Sequence, residues 1–227
     1  MMNINTDATF MMDLLARVKS GSAVPAPFQR PFVWTKDDVL ALWTSIIKGY
    51  PLGSFLLWLP SGGSHFTSTS LGPIEFVPTA HSELILDGQN RMVTIAWSMT
   101  PPDADVPEDA SGASIFRDGQ ILVLDPHQKK PLFVDPDEVT GLIMPVHYLF
   151  NGLAKFLRDQ WRSDDDDEAI EWLDHVGSQL REARITITHM ENATIDEARD
   201  AFLHIARAGV PMSQEDFDNA LASGSGQ

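Results

Sequence analysis

The stretch that most limits how this chain can fold is Glu83 to Met99. Apolar residues run through Leu84, Ile85 and Leu86, stop at Asp87-Gly88, and resume at helical spacing through Met92, Ile95 and Ala96. A short apolar run ended by Asp-Gly reads as a strand, and the 3.6-residue spacing beyond it as a helix. Strand, tight turn and helix N-terminus follow one another directly, which points to a mixed α/β domain with a small, partly mixed sheet and peripheral helices. The first amides of a helix lack intrahelical partners and favour anions, and a glycine lets backbone come close to a phosphate. At such a junction Asp87 can hold a divalent cation or orient water. Gln89 can hydrogen-bond a phosphate oxygen or an attacking water, and Arg91 can neutralise charge developing in phosphoryl transfer. Asp-Gly turns are ubiquitous, so the pair alone marks only a surface turn with Arg91 in a salt bridge.

The surrounding chain supplies the remaining elements. Ala8 to Lys19 has helical spacing and Gly21 as a stop. Val24 to Trp34 holds three prolines, which disfavour a helix and keep Gln29 and Arg30 on a stiff, irregular segment. Thr35 caps a helix with Val39, Leu42, Trp43, Ile46 and Ile47 on one face and Gly49 at its end. Ser54 to Leu59 reads as a strand buried on both faces, and Ile74 to Val77 as another strand. Ser61 to Ser70 and Pro101 to Gly112 read as loops, and Arg117-Asp118-Gly119 as a hairpin turn inside Ile115 to Leu124. Helices are expected at Leu149–Trp161, Ala169–Leu180 and Ile195–Ala208, the last with a Thr194/Glu197 capping box, and a strand at Arg184–His189. Ser213 begins a short final helix before a flexible tail. One domain over residues 1–227, helical from about 145, accounts for the length.

Composition excludes several functions. Sixteen basic residues against 32 acidic ones leave a formal charge of −16. The averaged field therefore repels nucleic acid, and DNA contact is local or indirect. With no cysteine there are no disulfides, zinc-thiolate sites or thiol nucleophiles, which suits a cytoplasmic protein. No secretory leader is visible, and the longest apolar run, Ser54 to Pro60, is too short to span a bilayer. Asp164 to Glu168 reads as a solvated helix start favoured by the helix dipole, since five successive carboxylates cannot converge on one ion. Of the six tryptophans, those at helical or strand spacing belong to the core, and Trp34, beside Gln29 and Arg30, is kept as a pocket residue. His189 and His204, on apolar periodic segments, read as core histidines.

Four segments occur in a telling order: Phe28-Gln29-Arg30-Pro31-Phe32-Val33-Trp34, Ser45 to Gly53 with its Gly-x-Pro-x-Gly end, Leu86-Asp87-Gly88-Gln89-Asn90-Arg91, and Gly209-Val210-Pro211-Met212-Ser213. In content and order they resemble the GmrSD-type restriction endonuclease N-terminal domain family, over roughly residues 10 to 220. The resemblance implies a ParB/sulfiredoxin-like core whose Asp-Gly-Gln-x-Arg motif binds and hydrolyses a nucleoside triphosphate with Mg2+, and so licenses a nuclease that cuts modified phage DNA. Carried onto this chain, Asp87 (also the metal ligand), Gln89 and Arg91 are the catalytic residues. Gln29, Arg30, Gly88, Asn90, Trp34 and Lys48 bind the nucleotide. Ala206 stands where the family has an asparagine, which removes one polar contact. No nuclease motif is present, so the implied partner is a nuclease domain or subunit; a homodimer is compatible, and no membrane is involved. Two rival readings share the composition: a non-catalytic subunit docking a basic nuclease chain, and an acidic DNA mimic.

Overall fold

The computed structural model describes residues 2–26, 32–60, 69–71, 74–104, 118–160 and 166–208. Strand β1 (Asn3–Phe10) leads directly into helix α1 (Met11–Lys19), which buries Met11, Leu14, Leu15 and Val18. The helix starts later than its spacing suggests because Ala8 and Thr9 pair with Thr186 and Ile185 of another strand. A three-residue strand, β2 (Ala23–Pro25), follows. Helix α2 (Lys36–Ile47) starts at Thr35, where a reciprocal capping box with Asp38 satisfies two of the helix's orphan groups, one bond being Thr35 N to Asp38 Oδ2 at 2.8 Å.

Strand β3 (Ser54–Leu59) has four successive buried residues, Phe55 to Trp58, as expected of a strand covered on both faces. After the small pair β4 (Thr69–Leu71) and β5 (Ile74–Phe76), strand β6 (Glu83–Asp87) ends at Gly88, and helix α3 (Gln89–Ser98) begins there. Strands β7 (Ile121–Asp125), β8 (Lys130–Val134) and β9 (Met144–Pro145) form a separate sheet in the order β8-β7-β9. Helices α4 (Leu153–Gln160) and α5 (Asp167–Glu182), strand β10 (Arg184–Glu191) and helix α6 (Ile195–Ala208) complete the described chain.

The main sheet has the order β1-β10-β3-β6-β2. Pairs β1/β10 and β3/β6 are antiparallel, whereas β10/β3 and β6/β2 are parallel, so the sheet is mixed. Its core joins Leu57, Leu84 and Ile85 to Leu14 of α1, Trp43 of α2 and Met92 of α3. Each such side chain contributes roughly 1.5–3 kcal/mol through removal from water. Trp43 and Trp58 are core residues with satisfied indoles: Trp43 Nε1 donates to Ser98 Oγ at 3.2 Å and Trp58 Nε1 to the Ala193 carbonyl at 3.1 Å.

Several expectations are revised. The helix expected over Leu149–Trp161 is split, with a 3-10 turn at Val146–Leu149 and α4 from Leu153, because Gly152 adopts φ +104 between them. Asp118-Gly119 turns the chain, Asp118 Oδ1 accepting from Gln120 N at 3.1 Å, while the first arm of the expected hairpin, Ile115 to Arg117, lies outside the described residues; the described hairpin is β7–β8. It closes after Asp125, whose buried carboxylate accepts from His127 N and Gln128 N at 2.9 and 3.1 Å, an Asx turn that the Asp-Pro pair signals. His204 is exposed and not a core residue. His189 is half-buried and bridges Asp7 and Glu83 at 3.0 and 2.7 Å, with Arg17 on the other Glu83 oxygen. Glu168 of the acidic run meets Lys129 at 2.7 Å in the first turn of α5. The loop at 61–68, most of Pro101–Gly112, residues 161–165 and the helix from Ser213 lie outside the described residues.

Candidate functional site

The site is built where β6 becomes α3. Gly88 forms the N-cap of α3 with φ +93, a left-handed conformation that favours glycine, and a Cβ there would collide with the Phe55 ring. Close packing against the sheet thus accounts for the glycine that the sequence suggested for a phosphate. The N-cap glycine offers no side chain to cap α3, and the first turn holds no acidic residue. Its first hydrogen bond of the helical kind, Met92 N to the Gly88 carbonyl at 3.0 Å, leaves the amides of Gln89, Asn90 and Arg91 outside the helix ladder. The positive end of the helix dipole is therefore not neutralised by any side chain of the first turn.

Arg91, one turn into α3, reaches back across this junction. Its Nη1 donates to the Leu52 carbonyl at 2.5 Å and its Nη2 to the Ser54 carbonyl at 2.6 Å, while the guanidinium lies 4.6 Å over the Phe55 ring. Asp87 Oδ2 stands 3.4 Å from Nη2. Burial pushes the Arg91 pKa down and the Asp87 charge pulls it back up; the group remains a cation at neutral pH. Gly53 belongs to the same device, for at φ +82 it passes so close to the guanidinium that a Cβ would overlap Nη1. The Gly-x-Pro-x-Gly turn and the Asp-Gly-Gln-x-Arg turn are thus joined through one side chain.

The remaining candidates fall unevenly around this point. Trp34 and Arg91 line one open cleft of roughly 280 Å³, walled by Asp38, Ser45 and Leu52. The Asp87 carboxylate is 41% exposed, against 20% for the Arg91 side chain, so the acid is available to a ligand and the base is largely enclosed. Gln89 and Asn90 are buried, and Asn90 Oδ1 has no hydrogen-bond partner among the described residues. Lys48 is exposed, with Nζ 5.7 Å over the Tyr50 ring, and does not line the cleft. Gln29, Arg30 and the Gly209–Ser213 motif lie outside the described residues, as do the side chain of Ala206 and its surroundings. The flanks of Gln29 and Arg30 are placed: β2 runs parallel to β6 with Pro25 beside Ile85, and Ala26 N donates to the Ile85 carbonyl at 3.1 Å. The end of β2 at Ala26 therefore lies at the same end of the sheet as Asp87-Gly88. Among the described residues no three His, Asp or Glu side chains gather into a metal cluster, and no helix is long and apolar enough to cross a membrane.

The sequence reading did not foresee Phe55 or the Leu52 and Ser54 carbonyls as parts of the junction. Only the Gly-x-Pro-x-Gly spacing hinted at them, since a second turn rich in glycine implies a close approach by something.

Compared with known proteins, residues 11–222 match the family described as GmrSD restriction endonuclease, N-terminal domain. The chain belongs to that family. Membership associates this GmrSD-type domain with restriction systems and places the motif-bearing junction within the matched region. An uncharacterised protein of Methanocaldococcus jannaschii is 27% identical over 130 residues, which cover 55% of this chain. The match spans 22% of that relative's own length.

Proposed function

We propose that this chain is the nucleotide-binding and nucleotide-hydrolysing part of a modification-dependent antiphage restriction system, governing a nuclease carried on another domain or chain. The observation that carries this reading is the glycine-capped α3 N-terminus, preceded by an accessible Asp87 and adjoined by the cleft that Trp34 and Arg91 share. The residues fit a magnesium nucleotide. Mg2+ in nucleotide sites takes one or two carboxylates and completes its shell with phosphate oxygens and water, so a single exposed aspartate suffices. When bound, the magnesium nucleotide supplies the scissile phosphoryl group and the cation that offsets its charge.

In this reading Asp87 binds the cation, and the first-turn amides of Asn90 and Arg91 donate to phosphate oxygens. Gln89 orients water, and Trp34 offers an aromatic face to the base. Gln29 and Arg30, which follow β2 in the chain, are further phosphate ligands in this reading. Arg91 fixes the Leu52–Ser54 turn and adds positive potential to the cleft from within. Lys48 contributes at most long-range charge. The net charge of −16 keeps DNA away from this domain and leaves DNA cutting to the nuclease.

One observation favours a second reading. The Arg91 fork is already hydrogen-bonded to two carbonyls, as it would be in a module that binds nucleotide or partner without hydrolysing anything. Calorimetric titration with ATP, GTP, CTP and UTP in the presence of Mg2+, paired with a phosphate-release assay, separates the possibilities. The expected result is binding of at least one nucleotide with slow phosphate release, which Asp87→Ala lowers by about a hundredfold or more. Binding with no release in wild type selects the non-hydrolytic module. Absence of binding by all four nucleotides overturns both readings.

A further inference from the structure

A second cavity lies where α1 and α3 end against β5, and it shares no described lining residue with the cleft of Trp34 and Arg91. Its volume is about 610 Å³, inside the range of roughly 300–1,000 Å³ that small-molecule sites occupy. Most of the lining is apolar: Leu15, Val18 and Phe76 are buried in its walls, while Val77 is 66% exposed and leaves apolar surface open to solvent. The hydroxyls around it are already committed. Ser20 donates to the Arg17 carbonyl at 3.0 Å, Thr100 to the Trp97 carbonyl at 2.6 Å, and Thr79 is paired with the Ser82 hydroxyl at 3.1 Å. Lys19, Glu75 and Asn151 are the lining polar side chains that have no hydrogen bond or ion pair among the described residues.

We propose that this cavity binds a small organic cation, a compact apolar body carrying one ammonium-type group. The volume and the apolar walls take the body, and charge selects the head. Lys19, the last residue of α1, and Met99, which caps α3, both line the cavity, so two helix C-termini meet there, each equivalent to about half a negative charge. The last turn of α3 contains no basic residue to offset its end. In the last turn of α1, Arg17 is engaged by Glu83. Glu75 adds a full negative charge to the cavity, opposed by Lys19 alone, and the formal charge of −16 acts in the same sense as Glu75. An anionic head would therefore face two helix ends and a carboxylate with one lysine in its favour.

Three probes share one aromatic body and differ in charge: 2-naphthylmethylamine, 2-naphthalenemethanol and 2-naphthoate. Calorimetric titration of each into the full chain at neutral pH and low salt is expected to rank them cation, alcohol, carboxylate, with about threefold between steps. Glu75→Gln is expected to weaken the amine by about threefold and leave the alcohol unchanged, and Lys19→Gln to strengthen the amine. Asp137→Asn, a carboxylate outside the cavity, is the control and should change nothing. Val77→Ser, at an exposed position where folding is not at stake, should weaken all three probes by about twofold through lost apolar contact. No binding of any probe at millimolar concentration overturns the proposal. So does tighter binding of the carboxylate, equal binding of all three, or affinities that the Glu75, Lys19 and Val77 substitutions move no more than the control.

Discussion

Arg91 shows how one side chain can serve structure at a position that reads as chemistry. Its guanidinium pairs two main-chain carbonyls and covers an aromatic ring, and hydrogen bonds from a charged donor are each worth about 1.5–3 kcal/mol when their removal leaves buried acceptors unpaired. Arg91→Ala is therefore expected to destabilise the domain by about 2–4 kcal/mol, read from the midpoint of urea unfolding. Arg91→Lys should recover little, because an ammonium cannot reproduce the fork that reaches Leu52 and Ser54 together. A loss below about 0.5 kcal/mol, the size of a neutral surface change, would sink the assignment of Arg91 as the link between the two turns. Gly88 tests the same junction from the other side. Gly88→Ala combines a left-handed backbone with overlap on Phe55 and should cost about 2–4 kcal/mol. Gly119→Ala, equally left-handed at φ +83 but with none of the described residues within 4 Å of its Cβ, should cost about 1–2 kcal/mol. Equal losses at the two glycines would show that packing on Phe55 is not what fixes residue 88.

At the scale of elements, the 3-10 turn of Val146–Leu149 joins the small sheet to α4 and carries His147. Its ring lies 4.2 Å from Tyr148, and its buried Nδ1 has no partner among the described residues. Burial pushes the His147 pKa below its ordinary 6.5, against the opposing pull of Asp103. The folded state thus prefers the neutral ring, while the unfolded chain takes up a proton near 6.5. Stability from this residue is fully present above pH 6.5 and is lost as pH falls below 6.5 and through the lower folded value. Unfolding midpoints measured between pH 7.5 and pH 5, values that bracket the histidine range, should fall more steeply for wild type than for His147→Gln. Parallel curves would mean that the turn does not sense protonation. The same scale explains which elements were readable in advance. The capped starts of α2 and α6 announce themselves within four residues, as does the Asp-Gly end of β6. Strand β1 does not, because it is exposed on both sides over six residues and so has no alternation of apolar and polar side chains to detect. Strand β2 is hidden by its proline, tolerated because this three-residue strand lies at the sheet's edge.

Across the whole molecule, strand order sets where the motifs meet. Strand β10, from residues 184–191, lies between β1 and β3, so the far end of the described chain is needed to complete the sheet on which the junction rests. Parallel pairing of β2 with β6 brings Pro25 and Ala26 to the end of the sheet where Asp87 and Gly88 stand. Antiparallel pairing of β3 with β6 puts Leu56 beside Asp87 and the start of β3 within reach of Arg91. The order of the four motifs along the chain was enough to identify the family, and local spacing was enough to place a strand, a turn and a helix at Asp87-Gly88. Such signals are set by neighbours a few residues apart. Whether Arg91 faces a ligand or two carbonyls, why residue 88 is glycine, and which sheet edge stays open depend on contacts between residues distant in the chain. These follow from strand pairing and packing, for which no short window of sequence carries a signal.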